Sequence, residues 1–304
     1  MTTVLVIADY DVVFLSYDEP NADANWADLL TKIPTAQRVH GVKGSDSAHK
    51  AVAQLATTER VIVIDADNIL EGNFLHQIIE LDDTIDYKKR VLSWPSRNII
   101  NGLEYGNGGI KCWPRQLMLD MRTHENATDT GSQIDFCWDI EYVELDKCYS
   151  TIHNNASPRQ AWRAGFREGV KLSLDQGCKL NHLSDMWHGN LPRLNVWMTV
   201  GSDVPNGIWS ILGARQGCYL THFTEWDYTN VNDFEYLNTF WKNHLEGMSE
   251  HEVNSAITMY GQSISQQLEV GPLLDTEQSK FAKSQVHNIS RQLSNVRSYE
   301  EHTA

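Results

Sequence analysis

In the first third of the chain, short unbroken apolar runs alternate with stretches that place apolar residues on one helical face. "TVLVIA" and "VVFLS" read as strands, "QRVHGV" as a short strand and "RVIVID" as another. The last is apolar at consecutive positions, which suits a strand covered on both faces, as in a parallel sheet. Between them, "NADANWADLLTKI" predicts a helix with Asn21 or Asp23 as its cap. "SDSAHKAVAQLATT" predicts a second, capped by Ser45 or Asp46, with Ala48, Val52, Leu55 and Ala56 on one face. Strands alternating with helices predict an α/β domain, doubly wound, around a mostly parallel sheet.

The pattern then changes. "SWPSRNIINGLEYGNGGIKCWPR" is rich in Gly, Asn and Trp and reads as strands and loops that need positive φ at Gly106, Gly108 and Gly109. After "NNASPRQ" a helix is expected from Arg159 to about Gln176. Residues 190–225 show no single period. Beyond about 233 the chain turns helical, and from Ser249 it is polar, with many Ser and Gln. No internal repeat is visible.

Charge and cysteine content narrow the setting. With 25 basic and 40 acidic residues the net charge is −15, which disfavours broad nonspecific binding to a polyanion. The five cysteines (112, 137, 148, 178, 218) form no CxxC pair, so free thiols in a reducing compartment are the simplest reading. "MTTVLVIADYD" has no basic n-region, and no apolar run approaches membrane-spanning length. A cytoplasmic protein without a membrane partner is expected.

"RVIVIDADN" carries the first chemistry. Asp65 and Asp67 fall at the carboxyl end of an apolar strand, where open α/β sheets bind ligands. Two adjacent carboxylates repel unless a positive charge separates them, and hard cations such as Mg²⁺ or Mn²⁺ take oxygen ligands with substrate phosphates completing the shell. The plainer alternative is that Asp65 caps the next turn and Asp67 is solvated. An EF-hand loop is excluded, because its sixth position is Leu70 and its twelfth His76.

"VVFLSYDEPNADANW" followed by "KGSDSAHKAVAQLATTERVIVIDADN" resembles, in order and spacing, the GT-A glycosyltransferases. The resemblance covers roughly the first 110 residues. It implies a GT-A-like fold in residues 1–232, with a nucleotide-sugar half over about 1–115 and an acceptor half over about 116–232. Residues 233–304 then form a helical, polar C-terminal extension. It implies a UDP-sugar donor held near Ser16, Tyr17, Asp18, Glu19, Lys43, His49 and Asp65, and a Mn²⁺ or Mg²⁺ ion on Asp67 with Asp65. "EYGNGGIKCWPR", with Gly108 and Gly109, would cup the donor sugar and face the acceptor. More narrowly the combination is similar to glycosyltransferases of tailed phages, some of which modify hydroxymethylated pyrimidines in double-stranded DNA. Family members often add a late His to the metal; His188 and His222 rank above His182 here, although a His beside Trp or Phe is more often a packing residue. If the enzyme inverts, it needs a carboxylate base, for which "DTGSQIDFCWDIEY" offers Asp139 and Asp135. Either could instead face solvent on a strand.

The expected helix after residue 158 has three stripes. Arg159, Arg163, Arg167 and Lys171 are spaced by four; Trp162, Phe166, Val170 and Leu174 form an apolar stripe; Ala161, Gly165, Gly169 and Ser173 form a small one. A buried helix with a solvated basic edge accounts for most of these. A grip on the donor diphosphate, or on a nucleic-acid backbone, is the functional alternative. Three rivals remain. Asp9-Tyr10-Asp11 resembles the nucleophile motif of HAD-type phosphatases but reads better as a polar turn between strands. A nucleotidyltransferase would carry a glycine-rich basic loop where this chain has "SYDEPN". A sugar- or nucleic-acid-binding module could keep the fold without the chemistry.

Overall fold

A computed structural model of the protein describes residues 2–82, 84–135, 140–286 and 296–300. In chain order the first elements are β1 (Thr2–Val6), β2 (Asp11–Ser16), α1 (Ala22–Lys32), β3 (Gln37–His40), α2 (Ser45–Leu55), β4 (Arg60–Asp65), β5 (Asn68–Leu70) and β6 (Gln77–Asp82). There follow β7 (Val91–Asn98), β8 (Glu104–Pro114), α3 (Arg115–Asp120), α4 (Thr130–Ile134), β9 (Tyr142–Glu144) and β10 (Ser150–Ile152). The rest is α5 (Pro158–Leu172), α6 (Asn190–Thr199), α7 (Gly207–Phe223), α8 (Phe234–His244), α9 (Glu250–Ile264), α10 (Thr276–Gln285) and β11 (Val296–Glu300).

The main sheet runs β3-β2-β4-β8-β7-β10-β5, with β9 paired to β7. Strands β3, β2 and β4 are parallel, as the unbroken apolar run of β4 predicts. Alternate residues serve opposite faces. Phe14, Ile62 and Ile64 pack with α1 and the small sheet, whereas Val13, Val61 and Val63 pack under α2 and α3. The sheet is mixed rather than mostly parallel. β7 and β8 are joined by only five residues, with Gly102 at φ 77°, and so short a link forces an antiparallel hairpin. That hairpin places β8 antiparallel beside β4. Gly106, Gly108 and Gly109 all lie within β8. Gly109 is not left-handed as the sequence suggested; it is needed for a close approach described below.

Asp9 and Asp11 behave as the polar turn expected. Asp11 begins β2, at the opposite end of the sheet from Asp65, and its carboxylate accepts from Thr57 and Thr58. The segment after 233 contributes α8 and α9 to a helical core with α5 and α7. Its last described strand, β11, pairs with β6, which also pairs with β1 in a separate three-stranded sheet.

Helix α5 starts with Ser157 accepting from the Gln160 amide and with Pro158 in its first turn. It ends at Leu172, earlier than the pattern predicts, because Gln176 and Gly177 both take positive φ in the turn that pairs Asp175 with Cys178. Its small stripe meets α7 almost backbone to backbone. A Cβ on Gly165 would lie 1.9 Å from the Ser210 carbonyl oxygen, and one on Gly169 2.1 Å from that of Ala214. From the other side, Gly213 and Gly217 approach the carbonyls of Trp162 and Phe166 at 2.2 and 2.3 Å by the same measure. Gly213→Ala is therefore expected to destabilise the fold by about 2 kcal/mol or more. Gly72→Ala, with nothing near its added methyl, should be close to neutral. Urea unfolding of the two variants checks this; equal midpoints would refute the contact.

Candidate functional site

The carboxyl ends of β2 and β4 carry the sequence-predicted donor residues, and the N-terminal half of α5 lies across them. Asn21, just after the β2 loop, donates to the His153 carbonyl at 2.7 Å and accepts from Gln160 of α5 at 3.1 Å. The His153 amide in turn donates to the Asp67 carbonyl at 2.6 Å. Asn25 of α1 donates to the Ala66 carbonyl at 2.8 Å. These bonds tie together the loops after β2 and β4, the segment after β10 and the start of α5.

Asp65 continues the face of Val61 and Val63, towards α2, and lies 3.8 Å from the Lys111 ammonium on β8. His49 of α2 is on the same side. Its Nδ1 lies 2.7 Å from the Ser45 carbonyl, and its ring meets Trp113 edge-on. Burial holds its pKa below the usual imidazole value, against the pull of the Ser45 carbonyl and Asp65. Asp67 sits in the turn beyond the strand. Burial, then the charges of Asp65 and Glu19, push its carboxyl up to about 7; the Asn68 amide, donating at 2.9 Å, opposes them only in part.

Asn68 connects this turn to the glycine-rich strand. Its side-chain oxygen accepts from Ser150 at 2.8 Å, Ser150 and Ser96 hydroxyls are 2.6 Å apart, and the Gly109 amide donates to Ser96 at 3.2 Å. A Cβ on Gly109 would fall 1.8 Å from the Asn68 amide nitrogen. Only glycine lets β8 come so close to the aspartate turn.

In the β2 loop, Ser16 is buried, 2.9 Å from His40 Nδ1, and accepts from Arg38 at 2.9 Å. The Tyr17 amide donates to Glu19 at 2.8 Å. Asp18 receives both ends of the Arg163 guanidinium at 3.0 and 3.3 Å, with Arg159 at 3.6 Å. Lys43 reaches across to Glu235 at 2.8 Å in an exposed pair. Arg163 and Arg167 both stack on Phe234, at 4.3 and 5.3 Å. Arg167 donates to Asn232 at 3.0 Å. Burial and then Arg163 lower its pKa, against the pull of Glu168, Asp135 and Asp67. Lys171 pairs with Asp135 at 3.0 Å. The basic stripe is thus partly matched within the protein: Asp18 takes Arg159 and Arg163, Asp135 takes Lys171, and Arg167 meets the neutral Asn232.

Other expected residues fall elsewhere. His222 lies 2.9 Å from the Ser173 carbonyl, at the far end of α5, and burial pushes its pKa down to about 4. His188 is exposed beside Trp187. Among the described residues no bond links either to the aspartate turn. Asp139 lies outside the described residues. Sequence reasoning missed Lys111, whose only signal is one charge inside the apolar strand "GIKCW". It also missed Asn232, and His124, whose positive φ of 40° is held by its neighbours: the Thr123 amide donates to Asp46 at 3.0 Å, and Glu125 accepts from the Asp46 amide at 3.0 Å.

Among the described residues no three His, Cys, Asp or Glu side chains form a ready metal cage. The donor set nevertheless suits a hard cation, because Asp65, Asp67 and Glu19 concentrate negative charge that raises the Asp67 pKa. No protein-family model matches this chain, and no curated protein matches it. No helix among the described residues is long and apolar enough to cross a membrane.

The raised Asp67 pKa has a stability consequence. The folded carboxyl keeps its proton up to about pH 7, while an unfolded one loses it near 4, so stability falls as pH rises between the two. Asp67→Asn should therefore raise the thermal midpoint at about pH 8 without divalent ions, with the gain vanishing towards about pH 4. Mn²⁺ should stabilise the wild type at the higher pH and not the variant. A variant melting with the wild type throughout would contradict this.

Proposed function

We propose that the protein is a metal-dependent glycosyltransferase of GT-A type, moving a sugar from a nucleotide diphosphate sugar, preferably a UDP-sugar, to an acceptor hydroxyl. One observation carries this reading: Asp65, Asp67 and Glu19 converge at the carboxyl ends of parallel strands, with Asp67 left electrostatically unsatisfied. The order β2, α1, β3, α2, β4 before the aspartates supports it, as does a glycine-rich strand bonded to the aspartate turn.

Asp67, with Asp65, would hold the cation. A bound Mn²⁺ or Mg²⁺ would offset charge on the donor diphosphate. Buried Arg163 and half-buried Arg167 add positive field above the same crevice. Ser16 and Tyr17 close the side where the nucleoside would lie. Asp135, paired with Lys171, is the described carboxylate nearest to the role of acceptor base.

The preferred acceptor is a hydroxymethylated pyrimidine in DNA. With Arg159 and Arg163 held by Asp18, Lys171 by Asp135 and a net charge of −15, such an acceptor would be held through its base rather than its phosphates, giving a shallow salt dependence. The same charge balance favours, as a second reading, a glycan or small-molecule acceptor.

The test is release of nucleotide diphosphate from a panel of nucleotide sugars with Mn²⁺ or EDTA, with and without each acceptor. Turnover should need Mn²⁺ and be lost in Asp67→Ala. A wild type silent with all donors and both acceptor classes, or an Asp67→Ala enzyme of full activity, would sink the reading. Gly109→Ala should cut turnover by about a hundredfold by pushing Asn68 and the aspartate turn aside. Steady-state kinetics on folded variant checks it.

A further inference from the structure

Beside the crevice stands a ladder of side chains with no part in the donor site. Tyr105, on β8 four residues before Gly109, gives its hydroxyl to Glu168 of α5 and accepts from the Trp197 indole at 2.9 Å. The Arg193 guanidinium, one turn into α6, lies 4.8 Å from the Tyr105 ring and 5.7 Å from the Trp187 ring. Trp187 is the outer rung and is 43% exposed. It lies on the backbone of Gly189, where a Cβ would meet its ring at 2.4 Å.

Two features separate this ladder from ordinary packing. A large aromatic ring packs on a glycine backbone yet is left open on the surface. Beneath it, Arg193 makes no hydrogen bond or ion pair among the described residues, and its Nε is buried without a partner there. Arg167 of α5 shares the unpartnered Nε, but its guanidinium also donates to Asn232, whereas Arg193 has, among the described residues, only the two rings against it. A buried donor left unmatched costs free energy that a ligand can recover. An open indole backed by a cation stacks a planar ring, and the free guanidinium N–H groups can donate to a carbonyl on that ring's edge.

The geometry points to Trp187 and Arg193 as the acceptor subsite, which takes a planar, carbonyl-bearing heterocycle of the pyrimidine type by stacking on the indole. This rests on the glycosyltransferase reading and specifies its acceptor end. Placement agrees with that role: Glu168 adjoins Arg167, whose charge feels Asp67, and Tyr105 shares its strand with Gly109. Trp187 thus stands at the outer end of a run of neighbours that leads through Arg193 and Tyr105 to Glu168 on α5.

The experiment is fluorescence anisotropy with a short single-stranded oligonucleotide carrying one 5-hydroxymethylcytosine, against the same strand with an abasic position. Wild type should bind the base-bearing probe more tightly. Trp187→Ala should weaken that binding about tenfold or more, while Trp187→Phe stays within a few-fold. Arg193→Met should weaken it without affecting the abasic probe. Phe281→Ala, an exposed aromatic on α10 outside the ladder, is the unchanged control. Equal binding of the two probes by the wild type, or undiminished binding by a folded Trp187→Ala, overturns the subsite. So does a protein that binds a pyranose oligosaccharide through Trp187 and ignores the base. Donor turnover is measured separately. Base binding that needs Trp187, in a protein without turnover, would keep the platform and remove the glycosyltransferase reading. Turnover with Trp187-independent binding would do the reverse.

Discussion

The crossing of α5 and α7 governs the rest of the structure. Four glycines, two on each helix, let the backbones touch, with Trp162 locking the pair by donating to Gln216 at 2.8 Å. A glycine inside a helix costs about 1 kcal/mol relative to alanine, so four of them are tolerable only where close packing returns more. That contact fixes the depth and rotation of α5. Depth brings Arg163 and Arg167 over the strand ends; rotation buries Trp162, Phe166 and Val170 and turns Glu168 towards β8.

Electrostatics then sort the acidic residues of the crevice into two kinds. Asp18 and Asp135 are matched by cations of α5 at hydrogen-bond distance. Asp65 has the more distant Lys111, and Asp67 has an amide and two like charges nearby. The closely matched pairs stiffen the walls, and the weakly matched Asp65 and Asp67 keep an affinity for positive charge. A chain of net charge −15 can thus hold a buried basic helix while presenting an acidic centre.

How much of this could be read from sequence follows from the range of each interaction. The strands β2 and β4, both early helices, the aspartate turn and the three stripes of α5 were legible, because each is written in local periodicity. The orientation of β8 was not, since antiparallel insertion depends on a five-residue link that reads as a generic glycine-rich loop. The partners of the arginines were not legible either. Spacing by four shows that Arg159, Arg163 and Arg167 share a face, but only the fold shows that Asp18, Asn238 and Asn232 meet that face. His222 looked free for a metal because nothing local reveals that its ring lies against the Ser173 carbonyl of another helix.

The small sheet joins β1 and β11 on either side of β6, and the Glu300 carboxylate there accepts from Asn73 and Tyr149. During ribosomal synthesis one flank of β6 therefore stays bare for some two hundred residues of elongation, until β11 emerges to cover it. An uncovered strand flank is a template for another chain, so this stretch of the nascent polypeptide is where chaperone protection matters most.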